Sequence, residues 1–152
     1  MSFYIKKSVL KNILQVLIVS ALFYGCSTDK PELRKQEKWL EYAGMSPEAR
    51  ALIEKNCISK GMTKDAVYIV LGEPDEEFKE NSPYSSTFRW GYGPYLGGSK
   101  PKVFYREIKI GNNIYLEKLP KRPKNTTDKY YSRVEIIFVN GRVVDWQLMG
   151  PQ

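Results

Sequence analysis

The sequence predicts an α+β domain in which two short N-terminal helices pack on one face of an antiparallel β-sheet. This is an ααβββ-type order, preceded by a lipoprotein signal peptide. Three observations carry the prediction. From Lys60 to Pro74 the apolar residues follow a helical period between sharp start and stop signals. From Thr87 onward the apolar period changes to two, as strands require. The first 26 residues run from basic to apolar and end in Gly25-Cys26. A chain of 152 residues with 42% hydrophobic and 13% aromatic content can bury a core.

The segments divide as 1–25 signal peptide, 26–45 lipidated terminus, tether and helix, and 46–150 folded domain. Lys6, Lys7 and Lys11 form the positive start of the leader. Ile13 to Phe23 is its apolar part, shorter than the roughly 20 residues that a spanning helix needs. Gly25-Cys26 supplies a small residue before a cleavable bond and a thiol to accept a diacylglyceryl group, so Cys26 is the expected lipidation site. Cys57 is then the remaining thiol, read as a small buried apolar side chain. A Cys26–Cys57 disulfide is open only to an unlipidated chain. The leader holds three of the basic residues and no acid, so its loss takes the formal charge from +7 to +4.

After the anchor, residues 28–38 are highly charged, and Leu33, Trp39, Leu40 and Ala43 give sparse periodicity. They read as a tether running into a partly docked helix that ends before Gly44. Ser46-Pro47-Glu48 then sets a capping hydroxyl, proline in the first turn and an early acid, which predicts a helix over 47–56. Ala49, Leu52 and Ile53 are its apolar stripe. Gly61, Met62 and Thr63 lead into the second helix, predicted over 63–71 with Thr63 as cap. Ala66, Val67, Val70 and Leu71 form its buried face at about 100° per residue. Gly72 closes it and Pro74 prevents its resumption. Glu73, Asp75, Glu76 and Glu77 follow as an exposed loop.

Phe88, Trp90 and Tyr92 alternate on one strand with Arg89 opposite. Residues 93–99 are a glycine-rich loop. Strands are predicted over 103–110, where Arg106 is out of character, and 114–119, joined at Gly111-Asn112-Asn113. In the last hairpin, a three-residue loop Val139-Asn140-Gly141 would pair Ile136 with Val144 and Val134 with Trp146, with Gly141 in a left-handed bulge position.

The string Gly61-Met62-Thr63, Val67, Leu71-Gly72 and Pro74, followed by Trp90-Gly91-Tyr92 and the strands from Val134 to Trp146, resembles the SmpA/OmlA (BamE-like) outer-membrane lipoprotein domain over about residues 50–149. The resemblance implies a helix pair on a sheet and a non-enzymatic accessory lipoprotein. It would be held in the outer membrane by its lipid, on the periplasmic face. Its partner would be the machinery that assembles outer-membrane β-barrels, or its role would lie in envelope integrity. The extended Asn- and Gly-rich segment that such proteins carry before the first helix is replaced here by residues 41–47.

Histidine is absent, which removes histidine-based zinc sites and Ser-His-Asp or Cys-His catalysis. No phosphate-cradling glycine loop or metal-ligand cluster occurs, so neither cofactor, metal nor small-molecule substrate is expected. Export argues against a nucleic-acid partner despite the basic charge. Tyr92, Tyr95 and Leu96 are the expected protein-contact cluster, since aromatics anchor interfaces. Lys121, Arg122 and Lys124 are the expected contact with an anionic surface. The alternative reading is an inhibitor-type lipoprotein that grips an envelope enzyme with its sheet, as in the β-lactamase-inhibitor-like fold.

Overall fold

The computed structural model describes residues 30–82, 85–94, 103–121 and 129–150. The elements in chain order are α1 (Pro31–Glu37), α2 (Trp39–Ala43), α3 (Pro47–Glu54), β1 (Cys57–Ile58), α4 (Lys64–Leu71), β2 (Glu76–Ser82), β3 (Ser85–Tyr92), β4 (Phe104–Ile110), β5 (Asn113–Leu119), β6 (Arg133–Val139) and β7 (Arg142–Met149). The chain is α+β, with short helices and two antiparallel sheets in place of the single predicted sheet. One sheet has the order β1-β5-β4 and the other β2-β3-β6-β7. Tyr105 and Tyr131 join them by exchanging backbone hydrogen bonds, both 2.9 Å. Trp146 Nε1 adds a side-chain link across to Glu107 Oε1 at 2.8 Å.

Both predicted helix starts hold. Ser46 Oγ accepts from the Ala49 amide at 3.2 Å, and Thr63 Oγ1 from the Ala66 amide at 3.3 Å. Each satisfies a first-turn N–H that has no partner within the helix. Helix α4 ends at Gly72, whose φ of 92° suits glycine. Ala66, Val67, Ile69, Val70 and Leu71 are all buried and share one core with Met62, Tyr105, Leu116, Val134, Ile136, Phe138, Val143 and Trp146. Burial extends round most of α4, beyond the stripe read from the sequence, because Arg34 of α1 covers its C-terminal turn.

Two strand readings are corrected. Glu76 and Glu77, read as part of an exposed loop, begin an edge strand, Glu76–Ser82, in register with β3, Glu77 opposite Trp90 and Lys79 opposite Phe88. Charged side chains are what such an edge carries to resist pairing with other chains. The final hairpin turns in two residues, not three. Asn140 and Gly141 both have positive φ, 52° and 75°, the combination whose twist matches the flanking strands. Val139 pairs with Arg142 and Phe138 with Val143; the register then slips, so that Ile136 faces Trp146 and Val134 faces Leu148. A bulge at Val144 absorbs the extra residue and leaves that side chain exposed. One inserted residue reverses the inside–outside parity, which is how Val143 and Trp146 both point into the core.

Gly141 therefore holds its left-handed φ as part of the turn and not of the bulge. Gly141→Val should lower stability by about 1 kcal/mol or more, since a β-branched residue resists that region. Urea unfolding with an unchanged midpoint would count against this turn. A Cβ at Gly141 meets nothing within 4 Å, so the expected loss comes from the backbone alone.

Candidate functional site

Of the three residues predicted for protein contact, Tyr92 alone lies among the described residues, and it is not at the surface. Tyr92 is buried, and its hydroxyl donates to the Gly72 carbonyl at 3.2 Å. Burial pushes its phenol strongly upward, with smaller contributions from Tyr105 and Glu73. It is a core ring that ties β3 to the end of α4, and it leaves the contact cluster. Tyr95 and Leu96 lie outside the described residues, as do Arg122, Lys124 and Cys26. Lys121 is exposed. Cys57 is buried, and burial raises its thiol pKa, with a smaller push from Glu117. A thiol so placed is a poor nucleophile.

The acidic run has structural partners. Asp75 Oδ2 accepts from the Gly93 amide at 2.7 Å. Glu76 pairs with Arg133 at 2.9 Å and Glu77 with Lys64 at 3.6 Å. Arg106, out of character in its strand, faces Glu117 across the β4–β5 ladder and pairs with it. Among the described residues no group of histidine, cysteine, aspartate and glutamate could hold a metal ion. Nor is any described helix long and apolar enough to cross a membrane.

What the structure does assemble is a groove at the helical end, about 640 Å³ and open to solvent. It lies between residues 40–49 on one side and the Gly61-Met62-Thr63 approach to α4 on the other, with Arg142 of the final hairpin at the margin. Met45, Ala49, Met62 and Ala66 give it apolar walls, and Leu40 stands at its lip, 83% exposed. Three of the charged residues that line it, Arg142, Lys60 and Asp65, are already engaged. Arg142 donates to the Gly61 carbonyl at 2.9 Å. Lys60 pairs with Asp145 at 2.9 Å, and Lys38 with Asp65 at 3.1 Å. A ligand with apolar side chains thus meets a hydrophobic floor inside a polar rim, the layout of protein interfaces.

The groove exists because residues 31–43 are docked and not a free tether. Arg34 is buried and donates to the carbonyls of Ile69 at 2.9 Å and Val70 at 3.1 Å. Lys35 Nζ reaches Glu54 at 2.7 Å and Glu32 at 3.1 Å. Tyr42 donates to Glu54 at 2.7 Å, and Tyr68 to Glu37 at 2.8 Å. Burial opposes the charge on Lys35, but its bonds to Glu54 and Glu32 outweigh this and raise its pKa. The Glu54 carboxyl is held below its ordinary range by Lys35 first and Tyr42 second.

That depression has a pH consequence. A carboxylate whose folded pKa lies below its unfolded one contributes stability above the unfolded value, about pH 4 for glutamate, and loses it as pH falls through the folded value. Glu54→Gln should be less stable than the parent at pH 7, with the gap closing as pH falls below about 4. Urea midpoints of the two proteins across that range check this; a gap that persists in acid would mean that Glu54 acts through packing alone.

Comparison with known proteins returns no match, neither to a protein family, nor to a curated protein, nor to a solved structure. The SmpA/OmlA likeness therefore rests on the residues quoted for it. The groove was not legible from the sequence. Its margins come from three separated segments, and its signal is the coincidence of an exposed Leu40 with the Gly61-Met62-Thr63 motif.

Proposed function

We propose that this chain is a non-enzymatic lipoprotein of the outer membrane, anchored through an acylated Cys26, that works as a protein-binding module. Its proposed role is as an accessory in β-barrel assembly or envelope integrity, on the periplasmic face. The observation that carries the binding role is the apolar groove at the Gly61-Met62-Thr63 approach, with the solvated Leu40 at its lip. A groove of this size accepts a few apolar side chains of a partner segment, the helix-in-groove or extended-peptide modes of recognition. Asp75, Glu76 and Glu77, the clustered carboxylates that could serve acid–base chemistry, are engaged in structural bonds, which favours the binding reading over a hydrolytic one.

Two measurements test this. Cys26→Ala should move the chain from the membrane to the soluble fraction; continued tight membrane association would overturn the anchor. A photo-crosslinking amino acid at Ala49, in the groove, should capture a component of the β-barrel assembly machinery in intact cells. The same group at Phe78, on the β2 edge, should not. Capture of that component only from Phe78 would move the site off the groove, and capture of a single envelope enzyme would turn the function to inhibition.

A further inference from the structure

The helical segment 31–43 is amphipathic in an inverted sense. A surface helix usually turns its apolar stripe to the core and its charges to solvent. Here the docked side consists of Arg34 and Lys35, both buried, with Lys38 and Tyr42 half-buried beside them. The side turned away carries Leu33 at 37% exposure, Trp39 at 61% and Leu40 at 83%. The polar contacts that fix it run to two different helices, Glu54 on α3 and the Ile69 and Val70 carbonyls on α4. The apolar exposure is thus built into the docking and cannot be relieved by rolling the helix over, since that would strip buried charges of their partners.

The position of this face limits what can cover it. Pro31 follows Cys26 by five residues. At about 3.5 Å per extended residue, the domain begins within about 18 Å of an acylated cysteine. Helix α1 adds only about 1.5 Å per residue beyond that. With Cys26 in a lipid, Trp39 and Leu40 are therefore confined to the neighbourhood of the bilayer surface. Tryptophan favours the interface, where the ring lies against acyl chains and its N–H meets the polar layer.

We propose that the Trp39–Leu40 face of α2 is a membrane-seating surface, which beds in the headgroup layer of the bilayer that holds the lipid anchor. This rests on the lipoprotein reading above and adds to it an orientation. A single point of lipid attachment leaves a domain free to tumble at the end of its tether. A second, weaker contact through an indole and a leucine fixes which side faces the bilayer. Because Leu40 also stands at the lip of the groove, the seated domain opens that groove at the membrane surface. A partner engaging it there would be one embedded in, or lying against, the same bilayer.

The test uses the full lipidated chain, reconstituted in vesicles of phosphatidylethanolamine and phosphatidylglycerol with brominated acyl chains. Mass measurement first establishes whether Cys26 is acylated. Bromine in the acyl chains should quench the tryptophan emission by a readily measured fraction, and Trp39→Phe should remove most of that quenching. Trp146 is buried and Trp90 half-buried, so they set a low background. In a second measurement, Leu40→Cys carries a nitroxide label, selective because Cys57 is buried. Its accessibility to dissolved oxygen should exceed that to a water-soluble nickel complex, whereas a label at Val144→Cys, an exposed bulge residue, should show the reverse. An acylated chain in which Trp39→Phe leaves the quenching unchanged, or in which the Leu40 label behaves as a solvated one, overturns the seating and leaves the anchor standing. An unacylated chain overturns both.

Discussion

Phe138→Ala should lower the stability of the domain by about 3–5 kcal/mol, the range for removing a fully buried ring. Phe138 has no exposed surface and sits where three kinds of packing meet. It faces Phe88 on β3 and Val143 on β7, the last pair before the bulge. Its ring meets Trp90 edge-on, with centroids 4.9 Å apart at 66°. Over these rings lies the Lys64 ammonium, 3.2 Å from the Phe88 centroid, 5.1 Å from Trp90 and 5.6 Å from Phe138. Lys64 belongs to the first turn of α4, where a positive charge opposes the helix dipole. The negative faces of the rings and Glu77 compensate for that placement. Losing Phe138 removes packed volume and one wall of the cation's surroundings together. Ile137→Ala, on the opposite face and half-buried, should cost clearly less. Equal losses in urea unfolding would mean that the register placing Phe138 inward is wrong.

That register shows how far the sequence could be read. Apolar alternation in β3 and β6 was legible, because each strand keeps one parity throughout. In β7 it was not: Val144, Trp146 and Leu148 look in phase, and only the bulge shows that Val143 is the inward residue and Val144 the outward one. A bulge is a backbone event with no residue type of its own, so alternation alone misreads it. Strand β2 was missed for a different reason. Its described side chains include one large apolar residue, Phe78, among Glu76, Glu77, Lys79 and Glu80, and an edge strand protected by charge has the composition of a loop.

Helices α3 and α4 were legible almost to the residue, since their caps are local chemistry and their apolar faces are periodic. The two-sheet layout was not, because it depends on the Tyr105–Tyr131 bridge between segments that are distant in sequence. Alternation put Tyr92 on the aromatic face of β3, and that face is the one turned to α4; it was misassigned because it was grouped with Tyr95 and Leu96 as an interface aromatic. For the groove and the Trp39–Leu40 face the obstacle was the docking chemistry. A helix held by Arg34, Lys35 and Tyr42 leaves no hydrophobic stripe to find, and its apolar residues look like the docked side when they are the free one.

Arg34→Met is the substitution that separates docking by charge from docking by bulk, and it should cost about 2–4 kcal/mol. Helix α4 ends with carbonyls that have no partner within the helix. Arg34 donates to two of them, Ile69 at 2.9 Å and Val70 at 3.1 Å; Lys118 donates to Leu71 at 3.0 Å and Tyr92 to Gly72 at 3.2 Å. Each donor comes from a different element, so the end of α4 joins α1, β5 and β3. Methionine keeps the apolar bulk of the arginine stem but donates nothing, leaving two buried carbonyls unsatisfied. Arg34→Lys should recover only part of the loss, since an ammonium cannot span both acceptors as the planar fork does. Tyr92→Phe removes one neutral bond and should cost about 1 kcal/mol. In Arg34→Met, trypsin should cut after Lys35 and Lys38 at denaturant concentrations well below the global midpoint, because α1 and α2 come away before the core opens. A variant as resistant as the parent would show that the segment is held by its stem contacts. The inverted helix would then lose its physical basis, since nothing would oblige Trp39 and Leu40 to face outward.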